Sequence, residues 1–238
     1  MRKIAISQSN YIPWKGYFDL ISRVDEFILF DSVQYTRRDW RNRNQVLSPQ
    51  GLLWLTVPVE TKGNYHRKIC EVRVCDAGWA EKHWSTLRHC YARAPYFSEV
   101  AGPVREAYER CGDVSSLSRV NYIFLKTICD LLAITTKLSW STDYDLIDGK
   151  SERLLHLCEQ AGADAYLSGP AARAYLDEAL FQEKGIAVEW MSYDGYPDYP
   201  QINSSACVHT VSVLDLLFNV GISGARAHVG RNTARKGC

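Results

Sequence analysis

The sequence lacks the long apolar segments and the strong positive charge that would mark a membrane protein or a general nucleic-acid-binding protein. It contains no run of about 18 apolar residues, so no segment is predicted to span a bilayer. Its 28 lysines and arginines nearly balance its 27 aspartates and glutamates, which gives a formal net charge of +1. Proteins that bind nucleic acids or membrane surfaces broadly carry a clear basic excess. The basic N-terminus precedes an apolar run too short for a signal peptide, so we expect a cytoplasmic protein without membrane insertion.

The sequence also lacks a recognisable metal-binding pattern. None of the eight cysteines forms a CxxC pair, and no close group of cysteines and histidines suggests zinc. His83 and His89 are six residues apart, which does not match the i,i+4 spacing of a helical metal pair. We therefore predict scattered, reduced and mostly structural thiols, and no metal site.

What the sequence does contain is an alternation of strand and helix patterns along its whole length. Apolar runs of strand length alternate with segments whose apolar residues have helical spacing. This alternation predicts a mostly parallel sheet with helices on both faces. We predict one α/β domain over residues 1–238, in which 76–133 is a largely helical insertion. The predicted strands are 3–7, 26–30, 52–59, 71–75, 135–140, 165–169 and 186–193, and the predicted helices are 16–23, 80–91, 117–132, 151–163, 171–185 and 212–221.

The stretch SQSNYIPWKGYFDLI, residues 7–21, begins where the first predicted strand ends. In a doubly wound sheet, ligands bind beyond the carboxyl ends of the strands and near helix N-termini. The stretch matches neither the GxGxxG motif nor the P-loop motif of phosphate-binding proteins. The alternative to ligand binding is that its aromatic residues only pack the first helix on the sheet. The predicted ligand-binding residues are Gln8, Asn10 and Gly16 for nucleotide or phosphate, Lys15 for catalysis, and Tyr11, Trp14 and Tyr17 for substrate.

A second polar stretch, DSVQYTRRDWRNRN at 31–44, follows the apolar run EFILF. Guanidinium groups hold phosphate or carboxylate through paired hydrogen bonds. The alternative is that these residues form a solvated surface loop. An arginine stacked on Trp40 would suit a nucleobase, but this pattern is less specific. The predicted roles are catalysis for Asp31 and Gln34, phosphate binding for Arg38, Arg41 and Arg43, and substrate contact for Asn44.

Two further stretches lie after predicted strands. Ser168 and Gly169 stand between a strand and a helix, where a helix N-terminus favours anions, so we predict nucleotide or phosphate binding. Tyr175 follows in the predicted helix, and Tyr199 and Gln201 follow the last strand. All three are predicted to contact substrate. A purely structural role is an equal alternative for both stretches.

Four blocks of the sequence together resemble the WbqC-like protein family. They cover nearly the full length and are QSNYIPWKGYFDLI, DEFILFDSVQYTRRDWRNRN, YLSGPAARAYL and the ending YPQ with SVLDLLFN. The resemblance implies a role in the biosynthesis of O-antigen and other surface polysaccharides, or of secondary metabolites. It carries no catalytic residues over to this chain, since none are settled for the family.

The first strand–helix–strand unit is also similar to that of pantothenate synthetase and related nucleotidyltransferases. In those enzymes an HxGH motif binds ATP phosphates, and a strand ending in a Gln-aromatic pair holds the substrate. The resemblance implies a three-layer nucleotidyltransferase-like fold, with Gly16 as the motif's glycine and Gln34-Tyr35 as the substrate pair. Trp14 and Tyr17 stand where the histidines would be, and no KMSKS-like loop is evident. The site is therefore expected to bind ATP or a nucleotide-linked substrate, and no cofactor is assigned.

These patterns favour a biosynthetic enzyme that transfers or ligates an acyl or aminoacyl group to an amino-sugar nucleotide or a similar amine. Its expected partner is a small molecule, either a nucleotide sugar or an acyl donor, and a homo-oligomer is compatible with the sequence. Two alternatives stay open. The missing histidines favour a non-catalytic nucleotide-sugar-binding or scaffolding protein. The Arg–Trp stretch permits a tRNA-dependent aminoacyl transferase, although the near-zero net charge opposes it.

Overall fold

The computed structural model describes residues 1–60 and 66–230, and these form an α/β fold with seven strands and seven α-helices. The strands are β1 (Lys3–Ser7), β2 (Glu26–Leu29), β3 (Arg43–Ser48), β4 (Gly51–Thr56), β5 (Lys137–Trp140), β6 (Ala165–Ser168) and β7 (Ala187–Trp190). The helices are α1 (Lys15–Ser22), α2 (Trp79–Tyr91), α3 (Phe97–Cys111), α4 (Leu117–Leu131), α5 (Ser151–Gln160), α6 (Glu178–Glu183) and α7 (Val213–His228).

Five of the strands form one parallel sheet in the order β5-β2-β1-β6-β7. The chain starts at the central strand β1 and adds β2 and β5 on one side. It then crosses over and adds β6 and β7 on the other side. The order therefore reverses between β1 and β6, which is the point where doubly wound sheets open a crevice for ligands.

Side chains alternate between two layers of helices on the two faces of this sheet. Ala5, Phe27 and Leu29 pack in the larger core, which α1 to α4 and α7 cover. Ile4 and Ile28 point to the smaller core beneath α5 and α6. The period of two follows from the pleat of a strand, and it makes each central strand apolar on both faces. The predicted parallel sheet and the predicted three layers are both confirmed.

Several predicted elements differ from the structure. Strands β3 and β4 form a separate antiparallel hairpin instead of joining the sheet. The predicted strand at 71–75 is wrong, because Val74 and Arg73 make only single bridges, to Val59 and Ser116. The predicted helix at 171–185 is split into a 3-10 turn at Pro170–Ala174 and helix α6.

The predicted end of the last helix at Gly221 is a break inside α7. Gly221 has φ of +72°, and helical geometry resumes after it as far as His228. A Cβ at this position would overlap the ring of Tyr96 and the carboxylate of Glu99. The break therefore needs glycine both for the positive φ and for the close approach.

The segment 76–133 contains α2, α3 and α4, which pack against α7 on the larger core. The rings of Tyr91 and Phe97 each stack on Phe218, with centroids 5.0 and 5.3 Å apart. Within the part of the chain that the structure describes, no helix has both the length and the apolar character needed to cross a membrane.

Glu26 on β2 carries a buried carboxylate that should make stability depend on acid pH. Burial alone would raise its pKa, but hydrogen bonds from Ser139, Tyr144, Lys137 and Arg2 outweigh that effect and lower the pKa to about 2. Because the folded pKa lies below the ordinary value of 4.5, this stabilisation is complete above that value and is lost as pH falls towards 2.

We expect Glu26→Gln to lower the free energy of unfolding by about 2 kcal/mol at pH 7 and to flatten its dependence on acid pH. Urea unfolding between pH 7 and pH 3 measures both effects. Glu109→Gln, on the exposed face of α3, is the matched control. Equal acid sensitivity of wild type and Glu26→Gln would contradict the assignment.

Candidate functional site

A cavity of about 530 Å³ lies at the reversal point of the sheet, at the carboxyl ends of β1 and β6. We call it the switch-point cleft. Its volume lies in the range of about 300–1,000 Å³ that is typical of ligand sites. Its polar lining consists mainly of Gln8, Ser168, Gly169, Tyr175, Lys150 and Arg153.

Four of the predicted ligand-binding residues therefore line one cleft. Gln8 comes from the end of β1, and Ser168 and Gly169 come from the end of β6. Tyr175 is half exposed beside them, at 51%. Gln8 is at least 160 positions from the other three residues in the sequence, and the parallel sheet brings the ends of β1 and β6 to the same edge.

The two cations of the cleft, Lys150 and Arg153, were not predicted. Both come from the start of α5, where Gly149 adopts φ of +112° and lets the chain turn into the helix. Among the residues that the structure describes, the cleft lining contains these two positive charges and no carboxylate, and Arg153 also pairs with Asp148 beside the cleft at 3.5 Å. The net positive charge of the lining favours an anion. The signal was present in the sequence as DGKSER, a Gly-Lys turn after a predicted strand and directly before an amphipathic helix.

Ser151 fixes this helix start to the opposite wall of the cleft. Its hydroxyl donates to the carbonyl of Tyr175 at 3.3 Å and accepts from the amide of Asp177 at 2.9 Å. Arg153 is oriented by the carbonyl of Ile147, at 2.9 Å from its Nε. The cationic side of the cleft is therefore held in place by contacts with its surroundings.

The loop after β1 is held in a strained conformation. Ile12 has φ of +36°, which a β-branched residue rarely adopts. The side-chain amide of Asn44 donates to the carbonyls of Tyr11 and Ile12, at 3.1 and 2.9 Å. Strain that the surroundings hold in this way is concentrated at functional sites, and Asn44 supports the loop from beneath.

Asp31 also supports this loop, and it lines neither the switch-point cleft nor the tryptophan pocket. The residue is fully buried, and its carboxylate accepts hydrogen bonds from the amide of Ser9 at 2.8 Å and from the hydroxyl of Ser118. Burial raises the pKa of Asp31, and these hydrogen bonds oppose that rise. The geometry gives Asp31 a positioning role, in contrast to the predicted catalytic role.

The arginine stretch meets the first loop, but its side chains are divided among several partners. Arg41 donates to the side-chain oxygen of Asn10 and pairs with Asp39 at 3.5 Å. The guanidinium of Arg43 lies 4.1 Å from the ring centroid of Trp54. Arg38 is exposed, with φ of +57°. None of these arginines lines the switch-point cleft, where Lys150 and Arg153 supply the positive charge.

Gln34 is exposed and lies next to the switch-point cleft. It lines a neighbouring cavity together with His66 and Lys68. This cavity shares Val33 and Arg153 with the cleft. The predicted substrate residue Gln34 is therefore placed beside the cationic wall.

A smaller cavity, of about 220 Å³, lies on the other side of the first loop, and we call it the tryptophan pocket. It is lined by Asn10, Pro13, Trp14, Trp40, Asn44 and Thr210. Gln8 lines the switch-point cleft and Asn10 lines the tryptophan pocket, with the buried Ser9 between them. One short loop thus separates the two cavities.

The remaining predicted residues of the first stretch pack inside the protein. Tyr11 is buried, and its hydroxyl hydrogen-bonds with Tyr108 and His83. Tyr17 donates its hydroxyl to the carbonyl of Gln8 at 2.8 Å. A Cβ at position 16 would overlap the indole of Trp14, so Gly16 serves the packing of Trp14. These contacts correspond to the packing alternative.

Lys15 is almost fully buried, with 2% of its surface exposed, and it reaches the loop before α7. Its Nζ lies 2.5 Å from Nδ1 of His209 and 4.8 Å from the ring centroid of Tyr199. A charged lysine can only donate, so Nδ1 accepts and the ring proton resides on Nε2. Nε2 then donates to Asp198 at 2.9 Å, which links a buried amine to an exposed carboxylate.

Asp198, Cys207 and His209 bring three ligand-type atoms within 4.8 Å of one another. Such a set can hold a metal ion. Here the amine of Lys15 occupies Nδ1 of the imidazole and adds a positive charge beside it. Both effects oppose the binding of a divalent cation at these three residues. Their spacing in the sequence does not predict a metal site.

Asp215 is the centre of a buried hydrogen-bond network. The spacing from Ser212 predicts a capping box, but only Ser212 caps the helix, through the amide of Leu214 at 3.3 Å. The carboxylate of Asp215 accepts from Tyr91, Tyr199 and Gln201 instead, at 2.8, 2.9 and 2.6 Å. The predicted substrate residues Tyr199 and Gln201 are therefore buried partners of Asp215.

Comparison with known proteins matches the chain to a family and to a relative. The model of the WbqC-like protein family matches residues 8–227. The uncharacterized protein Rv1507c of Mycobacterium tuberculosis is 52% identical over 221 residues, which cover 93% of this chain and 95% of that protein. No solved structure matches the chain. The family match includes every residue that lines the tryptophan pocket and, apart from Ile6 and Ser7, every residue that lines the switch-point cleft.

Proposed function

Because the chain belongs to the WbqC-like protein family, we propose that it is a biosynthetic enzyme of surface polysaccharide or secondary metabolite pathways. Its proposed reaction is the transfer or ligation of an acyl or aminoacyl group to an amine on a nucleotide-linked sugar. In this reaction the amine nitrogen attacks the acyl carbon, a C–N bond forms, the bond to the acyl leaving group breaks, and the amine proton leaves to solvent. The proposed location is cytoplasmic.

The observation that carries this proposal is the switch-point cleft. Its two cations suit a diphosphate, and the hydroxyl and backbone of Ser168 and Gly169 suit close approach by phosphate oxygens. Ile6, Leu154 and Tyr166 give the same cavity an apolar wall that suits a base. We assign the nucleotide part of the substrate to this cleft.

Catalysis by such a site would depend on positioning, which alone contributes several kcal/mol to the barrier. Asp31 and Asn44 hold the first loop, and Gln8 presents an amide to the cleft. Lys15 is buried behind this loop. We therefore assign Lys15 to fixing the loop that carries His209, and Gln8 and Gln34 to contact with the reactants.

We expect Arg153→Gln and Lys150→Gln each to weaken nucleotide binding by 10- to 100-fold, or about 1.4–2.8 kcal/mol. Thermal stabilisation by ADP, UDP and UDP-N-acetylglucosamine measures this. A ligand at about 100 times its dissociation constant should add about 2.7 kcal/mol of stability. Arg105→Gln, whose guanidinium pairs with Glu109 on exposed α3, is the control. If both cleft variants bind these nucleotides as tightly as the wild type does, the assignment of the nucleotide to the cleft is contradicted.

Turnover is tested separately, with purified protein, acyl donors and amino-sugar nucleotides. Formation of an amide supports the transferase or ligase. Tight nucleotide-sugar binding without turnover by any donor would favour the alternative of a non-catalytic binding or scaffolding protein.

The use of charged tRNA as donor is a second candidate, which one observation favours. Trp40 and Trp54 are both exposed, their ring centroids are 5.4 Å apart, and Arg43 stacks on Trp54. Exposed aromatic rings with a stacked arginine are surfaces on which single-stranded bases stack. Loss of turnover after ribonuclease treatment would support this donor, and turnover unaffected by the nuclease would exclude it.

A further inference from the structure

The tryptophan pocket has a lining that recognises an uncharged ring. None of its six lining side chains is ionisable, although arginines lie close by. Its volume of about 220 Å³ is below the range of about 300–1,000 Å³ for complete ligands. The pocket therefore has room for one ring system and offers no charge to a phosphate.

The two indoles of the pocket are held by other aromatic rings. Trp14 packs edge-on against Tyr193 and Tyr196, with centroids 5.2 and 5.7 Å apart. Trp40 packs on Trp54 at 5.4 Å. Rings that are fixed before binding lose little conformational entropy when a ligand arrives. The pocket thus presents two preorganised flat apolar faces.

The polar groups of the pocket are also oriented in advance. Arg41 can only donate, so the atom of the Asn10 side chain that it contacts is the amide oxygen. The NH₂ group of Asn10 therefore points away from Arg41. No hydrogen-bond acceptor for this NH₂ group is found among residues 1–60 and 66–230. The oxygen of Asn44 accepts from the amide of Gln45 at 2.7 Å and retains a second lone pair. Thr210 adds an exposed hydroxyl.

We propose that the tryptophan pocket binds a sugar ring, which stacks on Trp14 and Trp40 and forms hydrogen bonds with Asn10, Asn44 and Thr210. A pyranose has an apolar C–H face and hydroxyls around its rim. The three polar groups come from three separate chain segments, which suits hydroxyls spread around a ring. This assignment depends on the proposed function only for the link between the sugar and a nucleotide.

The position of the pocket suits one substrate that spans both cavities. Gln8 and Asn10 are two residues apart, which limits their Cα separation to about 7 Å. A diphosphate bridges a comparable distance between a nucleoside and a sugar. A nucleotide in the switch-point cleft would then place its sugar in the tryptophan pocket, with the loop 8–10 under the linkage.

The decisive comparison is between Trp40→Leu and Trp54→Leu. The two tryptophans contact each other and are equally exposed, at 40% and 39%, but only Trp40 lines the pocket. The backbone contact of Trp40 with Tyr11 does not involve the indole. We expect Trp40→Leu to weaken sugar binding at least tenfold and Trp54→Leu to change it less than threefold. Thr210→Val should weaken it by about three- to tenfold.

The measurement is ¹⁹F NMR of the full chain labelled with 5-fluorotryptophan, titrated with methyl glycosides of glucose, galactose, glucosamine and N-acetylglucosamine. The Trp40 resonance is assigned by its loss in Trp40→Leu. A saturable shift of this resonance by a glycoside, weakened in Thr210→Val, supports the inference. A shift by adenosine or uridine while all glycosides are inactive would overturn it in favour of a nucleobase, and no shift by any glycoside would also overturn it.

This outcome is separable from that of the proposed function. Nucleotide binding to the cleft is measured with ADP and UDP, which carry no sugar beyond the ribose. If ADP or UDP binds and no glycoside does, the sugar pocket fails and the cleft assignment stands. If glycosides bind and no nucleotide does, the cleft assignment fails and the sugar pocket stands.

Discussion

Replacement of Asp215 by alanine should lower the free energy of unfolding by about 3–5 kcal/mol, one of the two largest effects expected in this protein. The carboxylate is fully buried and accepts hydrogen bonds from two tyrosine hydroxyls and one amide. Alanine leaves the hydroxyls of Tyr91 and Tyr199 buried without this acceptor, and each such donor costs about 1–3 kcal/mol before relaxation. The amide of Gln201 also loses one acceptor but keeps the carbonyl of Val208. Urea unfolding at pH 7 measures the change.

Two controls make this result specific to the network. Asp215→Asn keeps one oxygen as an acceptor and should cost less than the alanine variant. Asp130→Ala, at the exposed end of α4, should change stability by less than about 1 kcal/mol. A loss below 1 kcal/mol in Asp215→Ala, with the slope against urea unchanged, would show that the network contributes little.

Replacement of Asp31 by alanine should lower the free energy of unfolding by about 2–4 kcal/mol and weaken nucleotide binding to the cleft. The amide of Ser9 and the hydroxyl of Ser118 lose their buried acceptor. Ser9 lies between Gln8 and Asn10, so release of this amide frees the loop that separates the two cavities. A double-mutant cycle that combines Asp31→Ala with Ser118→Ala should show a coupling energy of about 1–2 kcal/mol between the two side chains.

The pH dependence of Asp31→Asn distinguishes this structural role from a catalytic one. Burial raises the pKa of Asp31 in the folded protein. As pH falls through this raised pKa, the folded state takes up a proton that the unfolded state does not bind, so wild type gains stability relative to Asp31→Asn. A stability difference that is constant between pH 7 and pH 4 would contradict this. An asparagine variant of full stability that binds substrate normally but lacks turnover would restore the catalytic role.

The two buried aspartates show where reasoning from sequence stops. Asp31 follows a strand end, and this local position predicted a catalytic role. Asp215 stands three residues after a capping serine, and this spacing predicted a helix cap. The structure gives both a different role because their partners are distant. Ser118 is 87 positions from Asp31, and Tyr91 is 124 positions from Asp215. Nothing in the local pattern contains that information.

The sequence by itself determined the parallel sheet, the layers on both faces and the edge at which polar side chains meet. Apolar periodicity is a local property, and parallel strands can be connected in few ways, so Gln8, Ser168 and Gly169 could be placed together in advance. Only the tertiary structure decided which polar groups face a cavity. It buried Lys15 against His209, 194 positions away, and put Lys150 and Arg153 in the cleft in place of the arginine stretch. Burial of a side chain depends on every segment that packs over it, and chain-local patterns do not encode those contacts.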